Sequence, residues 1–383
     1  MPREVDTLVV GASAAGLASA AQLRRRGLSF EIVEAEAQVG MPWRTRYDRL
    51  HLHTPRSISS LPGLPMPRDW PRYPSTQQVA EYLRRYAYHF DLRPHLGERV
   101  TGVERQDGRW TTTTTKGTWS SRNVVLATGL TRVPVRPTWP GLDRFGGAVL
   151  HSSEYRNGEP WRGRSVLVVG FGNSACEQAL DLMEHGARVH LAVRSPVNAV
   201  PRDVFGAVPI LHLARLLHPL PSRLADALAW PVVRVTTGDL RRLGLHRRAY
   251  GPLTQIARDQ QIPLLDLGTL AAIRAGRVTV HGAITQVLED GVAFTDGTDL
   301  RVDAIVLATG YRPGLDEFLP AWREVCAGDG VPLRSGSPSG LPGLYFCGMF
   351  IAATGMFGQF GRDAVAIAGS IASRRSGTPA LPG

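Results

Sequence analysis

The chain has 383 residues, a 43% hydrophobic fraction and a formal net charge of +11, which indicates about two folded domains and excludes a disordered chain. Almost all of the positive charge is arginine, because Lys116 is the single lysine, and no basic block with interleaved aromatic residues occurs. A nucleic acid is therefore not expected as a partner. The three cysteines form neither a CxxC pair nor a metal-ligand cluster, so the sequence predicts no metal site.

The N-terminal stretch predicts a dinucleotide-binding unit. Thr7 to Val10 reads as a buried strand, a glycine turn follows, and residues 14–26 read as a helix. Such a turn lets the backbone approach a pyrophosphate at the helix N-terminus, although serine here replaces the usual second glycine. Glu34 ends the next predicted strand, where a carboxylate suits an unphosphorylated ribose, so we expect FAD or NAD. The predicted contacts are Gly11, Ser13, Ala14, Gly16 and Glu34.

Two residues after this unit are candidates for the surroundings of a flavin. Trp43 follows a glycine bend and lies either against a flat ring system or in the core. His53 lies in the long Pro-, His- and Ser-rich loop 47–67, either as a polar group beside the flavin or in a structural role. A helix is predicted over 75–90, and the last strand of this module ends in VVLATG at 124–129. Val100, Thr128 and Gly129 complete the predicted contacts of this part of the chain.

The second glycine turn has the same organisation. The apolar run SVLVV at 165–169 predicts a strand, and the turn leads into a helix. Its next strand ends at Arg194, which suits the 2′-phosphate of NADPH, whereas Glu34 would repel such a group. We therefore expect FAD in the first unit and NADPH in the second. The predicted contacts are Gly170, Gly172, Asn173, Ser174 and Arg194.

A helical excursion is predicted at about 203–262. Its proline-broken part at 204–235 is expected to cap a cleft or belong to the core, and the alternatives are a subunit contact or a membrane contact. AIVLATG at 304–310 then repeats the earlier VVLATG, and Tyr311 and Gly348 are further predicted cofactor contacts. The sequence thus predicts an α/β fold with two Rossmann-like domains. The FAD domain comprises 1–155 and 304–383, the NADPH domain at 156–303 is inserted between them, and the tail from residue 373 is expected to fray.

The pattern FxGxxxHxxxY occurs at Phe145, Gly147, His151 and Tyr155. On this motif and the two glycine turns the chain resembles the class B flavin-containing monooxygenases, whose Baeyer–Villiger members usually end the motif in tryptophan. Within the class it is most similar to the YUCCA branch and its bacterial relatives. The matching segments are YDRLHLHTP (47–55), FGGAVLHSSEY (145–155), VLVVGFGNSA (166–175), RLGLHRRAYGPL (242–253) and PLLDLGTL (263–270). It differs where YUCCA proteins carry an arginine pair, since residues 349–361 read MFIAATGMFGQFG.

The resemblance implies FAD and NADPH as cofactors and a C4a-(hydro)peroxyflavin that transfers oxygen from O₂ to a small organic substrate. It places His53 where other members have an asparagine over the flavin, with Trp43 nearby. The implied reaction is N- or S-oxidation, or YUCCA-like oxidative decarboxylation of a 2-oxo acid. The alternatives are an NADPH oxidase that releases hydrogen peroxide and a Baeyer–Villiger oxygenation. With no leader pattern and no apolar run long enough to span a membrane, we expect a cytoplasmic enzyme, possibly a homodimer.

Overall fold

The computed structural model describes residues 1–375, so the predicted frayed tail lies outside the described residues from position 376 onward. The strands are β1 (Arg3–Val10), β2 (Phe30–Val33), β3 (Val100–Gln106), β4 (Arg109–Thr114), β5 (Gly117–Leu126), β6 (Val133–Pro134), β7 (Ala148–His151), β8 (Ser165–Val169), β9 (Arg188–Ala192), β10 (Ala199–Pro201), β11 (Asp203–Val204), β12 (Val208–Pro209), β13 (Leu264–Asp266), β14 (Val278–His281), β15 (Ile284–Val287), β16 (Gly291–Phe294), β17 (Asp299–Arg301), β18 (Ala304–Leu307), β19 (Tyr311–Arg312) and β20 (Leu344–Phe346). The helices are α1 (Ala14–Arg25), α2 (Met41–Arg44), α3 (Thr76–His89), α4 (Asn173–Glu184), α5 (Ile210–Leu217), α6 (Ser222–Thr237), α7 (Pro252–Asp259), α8 (Thr269–Arg274), α9 (Trp322–Val325) and α10 (Met356–Arg375).

The chain packs as two compact units. The first comprises Met1–Thr45, Thr54–Val133 and the chain from Tyr311 onward, and the second comprises Arg46–His53 and Pro134–Gly310. These boundaries differ from the expected 155 and 303, because β7 pairs in parallel with β18 in the sheet of the second unit. Both units combine parallel strands with helices, and the predicted α/β fold class is confirmed.

The sheet of the first unit has the order β2-β1-β5-β4-β3, with β20 paired to β5. Strands β2, β1, β5 and β20 are parallel, so the residues that follow their carboxyl ends meet at one edge of the sheet. The first strand begins at Arg3, earlier than the predicted Thr7, because Arg3 pairs with Trp119 of β5. The near-continuous apolar runs of these strands form the core. Its fully buried members include Leu8, Val124, Leu126, Leu344 and Phe346.

Helix α3 shows how local sequence defines an element of this unit. Ser75 Oγ accepts a hydrogen bond from Gln78 N at 3.3 Å, and Gln78 Oε1 accepts one from Ser75 N at 3.0 Å. This capping box satisfies two backbone donors at the start of the helix. Val79, Leu83 and Tyr86 are buried on one face at helical spacing, as the sequence predicts.

The second unit is built on a parallel sheet of order β14-β9-β8-β18-β7. The glycine turn after β8, the segment after β9 and the residues after β18 therefore share one sheet edge. Helix α4 follows the turn and buries Ala175, Ala179 and Leu182 against this sheet. The excursion contains α5, α6 and α7 as separate helices, as its prolines predict, although α6 runs unbroken through Pro231. Across residues 1–375 no helix is long and apolar enough to cross a membrane.

Candidate functional site

The first glycine turn packs too closely for side chains. Gly11 has φ 104°, and a Cβ there would lie 2.7 Å from the carbonyl oxygen of Ala127. A Cβ on Gly16 would collide with the carbonyl oxygen of Gly11. Ser13 is the N-cap of α1 and leads directly into Ala14, and no side chain of the described residues caps this helix. Its first N–H groups therefore point to the sheet edge without a side-chain partner, as an anion-binding helix N-terminus requires.

The buried carboxylate of Glu34 lies at the same edge. One of its oxygens accepts a hydrogen bond from Ala12 N at 2.5 Å, and the other accepts one from Glu36 N at 2.9 Å. Each carboxylate oxygen has capacity for a further hydrogen bond, so a ribose hydroxyl has acceptors here. The strand that begins at Val100 is tied to this position, because Glu98 N donates to the carbonyl oxygen of Glu34 at 2.7 Å.

The side chain of Thr128 suits a contact with a bound ligand. It follows β5 at this edge, and its hydroxyl oxygen is buried without a hydrogen-bond partner among residues 1–375. A buried hydroxyl without a partner costs about 1–3 kcal/mol, so a bound polar group at this position explains it. Gly129 follows with φ 79°, and Gly348, which follows β20, donates its N–H to Asp363 at 2.9 Å. These residues fit a dinucleotide such as FAD.

Trp43 is in contact with the apolar C-terminal segment of the first unit. Its ring lies 5.9 Å from that of Phe357, which in turn lies 5.7 Å from Phe360. A Cβ on Gly348 would meet the Phe360 ring at 2.5 Å, so these aromatic residues extend from Trp43 toward the sheet edge. Tyr311 opens β19 and is half-buried.

The second glycine turn repeats the first. Gly170 has φ 127°, and a Cβ there would lie 2.6 Å from the carbonyl oxygen of Ala308. A Cβ on Gly172 would meet nothing within 4 Å, and no described side chain caps α4. The side chain of Asn173, however, is held by the protein. Its Oδ1 accepts from Leu265 N at 2.8 Å and its Nδ2 contacts the carbonyl oxygen of Pro263 at 3.5 Å, which ties α4 to β13.

Arg194 follows β9, the strand beside β8, and its side chain is exposed. No ion pair joins it to an acidic residue within the described chain. An exposed guanidinium at this sheet edge suits a phosphate, which accepts paired hydrogen bonds from arginine. The two nucleotide units therefore differ in charge at equivalent positions, with a buried carboxylate at Glu34 and a solvent-exposed guanidinium at Arg194.

The FxGxxxHxxxY pattern at 145–155, called the fingerprint motif below, joins elements of the second unit. A Cβ on Gly147 would lie 2.6 Å from the ring of Phe145, which explains the glycine two residues after the aromatic one. His151 is buried, and its Nδ1 accepts from Ser153 N at 3.1 Å. The ring hydrogen is therefore on Nε2, which donates to the carbonyl oxygen of Gly310 at 3.1 Å. Burial lowers the pKa of His151, so the ring is neutral and joins the ends of β7 and β18.

Tyr155, the last residue of the motif, is also buried. Its hydroxyl donates to Asp181 Oδ2 at 2.6 Å, and Asp181 lies on α4. Burial, together with this carboxylate, raises the pKa of Tyr155 far above its usual range, so the hydroxyl keeps its proton. The motif thus links β7 to its neighbouring strand and to α4.

The structure gives His53 a partner that sequence reasoning missed. Its Nε2 pairs with the carboxylate of Glu177, a buried residue on α4 just after the glycine turn. Tyr47 is buried beside them and has side-chain hydrogen bonds to Ser174 and Glu177, and burial followed by the Glu177 charge raises its pKa well above the usual range. Ser174 and Glu177 are three residues apart and share a helix face, a spacing that could have pointed to Glu177.

The comparisons with known proteins agree with this organisation. A family model described as pyridine nucleotide-disulphide oxidoreductase matches residues 8–209. Indole-3-pyruvate monooxygenase YUCCA8 of Oryza sativa subsp. indica is 38% identical over 384 residues, which cover 96% of this chain and 90% of the relative. A double mutant of a flavin monooxygenase from Stenotrophomonas maltophilia is 25% identical, with a TM-score of 0.74 and coverage of 97% of this chain and 99% of that chain. A structure titled as an OTEMO complex with FAD and NADP shares the fold at 17% identity and a TM-score of 0.73, covering 98% and 87% of the two chains.

Two glycine turns on parallel sheets indicate an oxidoreductase that binds two dinucleotides, and the similarity to flavin monooxygenases places this chain in the flavin-dependent monooxygenase class. The chain belongs to the YUCCA family of flavin monooxygenases, within the broader pyridine nucleotide-disulphide oxidoreductase family. The redox-active CxxC pair of disulfide reductases is missing from the sequence, and the three cysteines are free and buried.

Proposed function

We propose that the first unit binds FAD, that the second binds NADPH, and that the enzyme transfers one oxygen atom from O₂ to a small organic substrate. The contrast between Glu34 and Arg194 carries the assignment of the two nucleotides, because a carboxylate accepts from a free ribose hydroxyl whereas a guanidinium binds a 2′-phosphate. When bound and reduced by NADPH, FAD supplies the activation of O₂ that monooxygenation requires.

The protein's own part in this proposal is binding and orientation. The N-terminus of α1 binds the pyrophosphate of FAD, Glu34 accepts from its ribose, and the unpartnered hydroxyl of Thr128 bonds the same cofactor. In the second unit the N-terminus of α4 and Arg194 bind NADPH. Glu177 fixes the imidazole of His53 through Nε2, so that the other side of the ring is presented in one orientation.

For the substrate we propose an aromatic 2-oxo acid, since the rice relative is named for indole-3-pyruvate. Arg362 supports this candidate. Its guanidinium is exposed and donates hydrogen bonds to two neutral side chains, Thr354 at 2.9 Å and Gln359 at 2.6 Å. Its positive charge is therefore not neutralised by these partners and can pair with a substrate carboxylate. A neutral amine or sulfide is the second candidate, because residues 349–361 contain no charged side chain. Cytoplasmic location and a homodimer remain predictions.

The experiment is an oxygen balance on the purified flavoprotein. NADPH consumption, peroxide release and ¹⁸O incorporation from ¹⁸O₂ are measured with indole-3-pyruvate, with a neutral aryl sulfide and without substrate. With catalase present to remove free peroxide, which decarboxylates 2-oxo acids by itself, label in the acid product supports the first candidate, and label only in the sulfoxide supports the second. Stoichiometric peroxide with every substrate would overturn the proposal in favour of an NADPH oxidase, and label in an ester formed from a ketone would favour a Baeyer–Villiger enzyme.

A further inference from the structure

The helical excursion of the second unit exposes an apolar face that the nucleotide sites do not use. On α6, Leu224, Leu228 and Val235 are 49%, 56% and 71% exposed. Positions four and eleven residues apart lie on the same side of a helix, so these three side chains form one stripe. Ala225, Ala229 and Val233 form the buried stripe of the same helix, which shows that the exposed stripe is a second apolar face.

Arginines and a tryptophan border this stripe. Arg223 and Arg234 are exposed on its flank, and no ion pair to either is found among the described residues. Trp230 is 47% exposed beside them, with the guanidinium of Arg247 over its ring at 5.1 Å. A half-exposed indole with a cation on one side is typical of a side chain at a boundary between water and an apolar phase.

The charge of this region is one-sided. Residues 205–238 contain three arginines and a single acid, Asp226. Asp226 is already engaged, because its carboxylate accepts from Leu253 N at 2.8 Å and from Thr254 N at 2.9 Å at the start of α7. On the preceding helix, Leu216 is 75% exposed and follows the exposed Arg215, so α5 also exposes a basic and an apolar side chain.

We propose that α5 and α6 form a docking surface for a bilayer that contains anionic lipids, with the helices lying in the interface and not spanning it. Exposed leucines enter the boundary between head groups and acyl chains, and the arginines pair with lipid phosphates. A second copy of the same face is disfavoured, because symmetric pairing would bring one arginine-bordered surface against another.

The test uses the purified holoenzyme and sedimentation of sucrose-loaded vesicles. Vesicles of phosphatidylcholine alone are compared with vesicles containing phosphatidylglycerol, at low and high salt. We expect binding that needs phosphatidylglycerol and weakens with salt. Arg223→Gln with Arg234→Gln should lower the partition coefficient about 25-fold, at roughly fivefold for each basic residue near the surface. Leu224→Ser with Leu228→Ser should lower it by about tenfold or more.

Matched controls are Arg301→Gln and Leu333→Ser, which change exposed side chains of the same kinds elsewhere. Both should bind vesicles like the unaltered enzyme, and all variants should keep their flavin and melting temperature. Absence of binding to anionic vesicles would overturn the proposal, as would equal losses in the controls. A dimer in sedimentation velocity that Leu224→Ser with Leu228→Ser dissociates, without vesicle binding, would instead assign the face to a second copy.

Discussion

Replacing Tyr155 by phenylalanine tests whether the fingerprint motif is structural. The hydroxyl of Tyr155 donates to Asp181 Oδ2 at 2.6 Å, and both residues are more than nine-tenths buried. Removal of the donor leaves a buried carboxylate with one hydrogen bond fewer, and hydrogen bonds to charged groups contribute about 1.5–3 kcal/mol. We therefore expect Tyr155→Phe to lower the free energy of unfolding of the second unit by about 2 kcal/mol.

The assay is differential scanning calorimetry at fixed protein and cofactor concentrations, because bound ligands shift the melting temperature. For a unit of this size, about 2 kcal/mol corresponds to roughly 4–8 °C. The control is Tyr345→Phe in the first unit, where the hydroxyl bonds a neutral serine, Ser370, at 3.2 Å, and the expected loss is below about 1.5 kcal/mol. Unchanged stability together with a lower kcat would refute the structural role and place Tyr155 in the chemistry.

Three further predictions follow from the sites. Arg194→Ala should raise KM for NADPH about 10-fold to 100-fold with little effect on KM for NADH, as expected for loss of a charged hydrogen bond, and an unchanged coenzyme preference would remove Arg194 from the site. Glu177→Gln should increase peroxide release per NADPH because it removes the carboxylate that positions the imidazole, and His53→Ala should do the same because it removes the imidazole itself. Normal coupling of NADPH use to oxygenation in both variants would show that the pair is not near the reaction. Burial, and then the charge of His281, lowers the pKa of His190 to about 4, so the unfolded chain takes up a proton first as the pH falls. The contribution of neutral His190 to the free energy of unfolding should be fully present above about pH 6.5 and should be lost as the pH falls toward about 4. Thermal melts recorded across that range should show a smaller decline for His190→Gln.

The two nucleotide-binding units can be predicted from sequence because their signals are local. A glycine turn between an apolar strand and a helix has few alternatives, since Gly11 and Gly170 adopt backbone angles that other residues avoid and lie against neighbouring carbonyl groups. The second strand of each unit follows at short range, so Glu34 and Arg194 could be placed at the same sheet edges from spacing alone. The family resemblance is equally readable, because it rests on contiguous motifs.

The contacts of the polar side chains, in contrast, follow from packing between distant segments. Glu177 is 124 positions from His53, and although helical spacing from Ser174 points to Glu177, nothing in the sequence pairs it with His53. In the same way, the side chain of Asn173 is held by the backbone at Pro263 and Leu265, so that it braces β13. Long-range pairings of this kind depend on how distant segments pack, which local periodicity does not encode. Tertiary packing also decided which face of α6 is buried, because that helix is apolar on two sides and only the fold shows which one faces water.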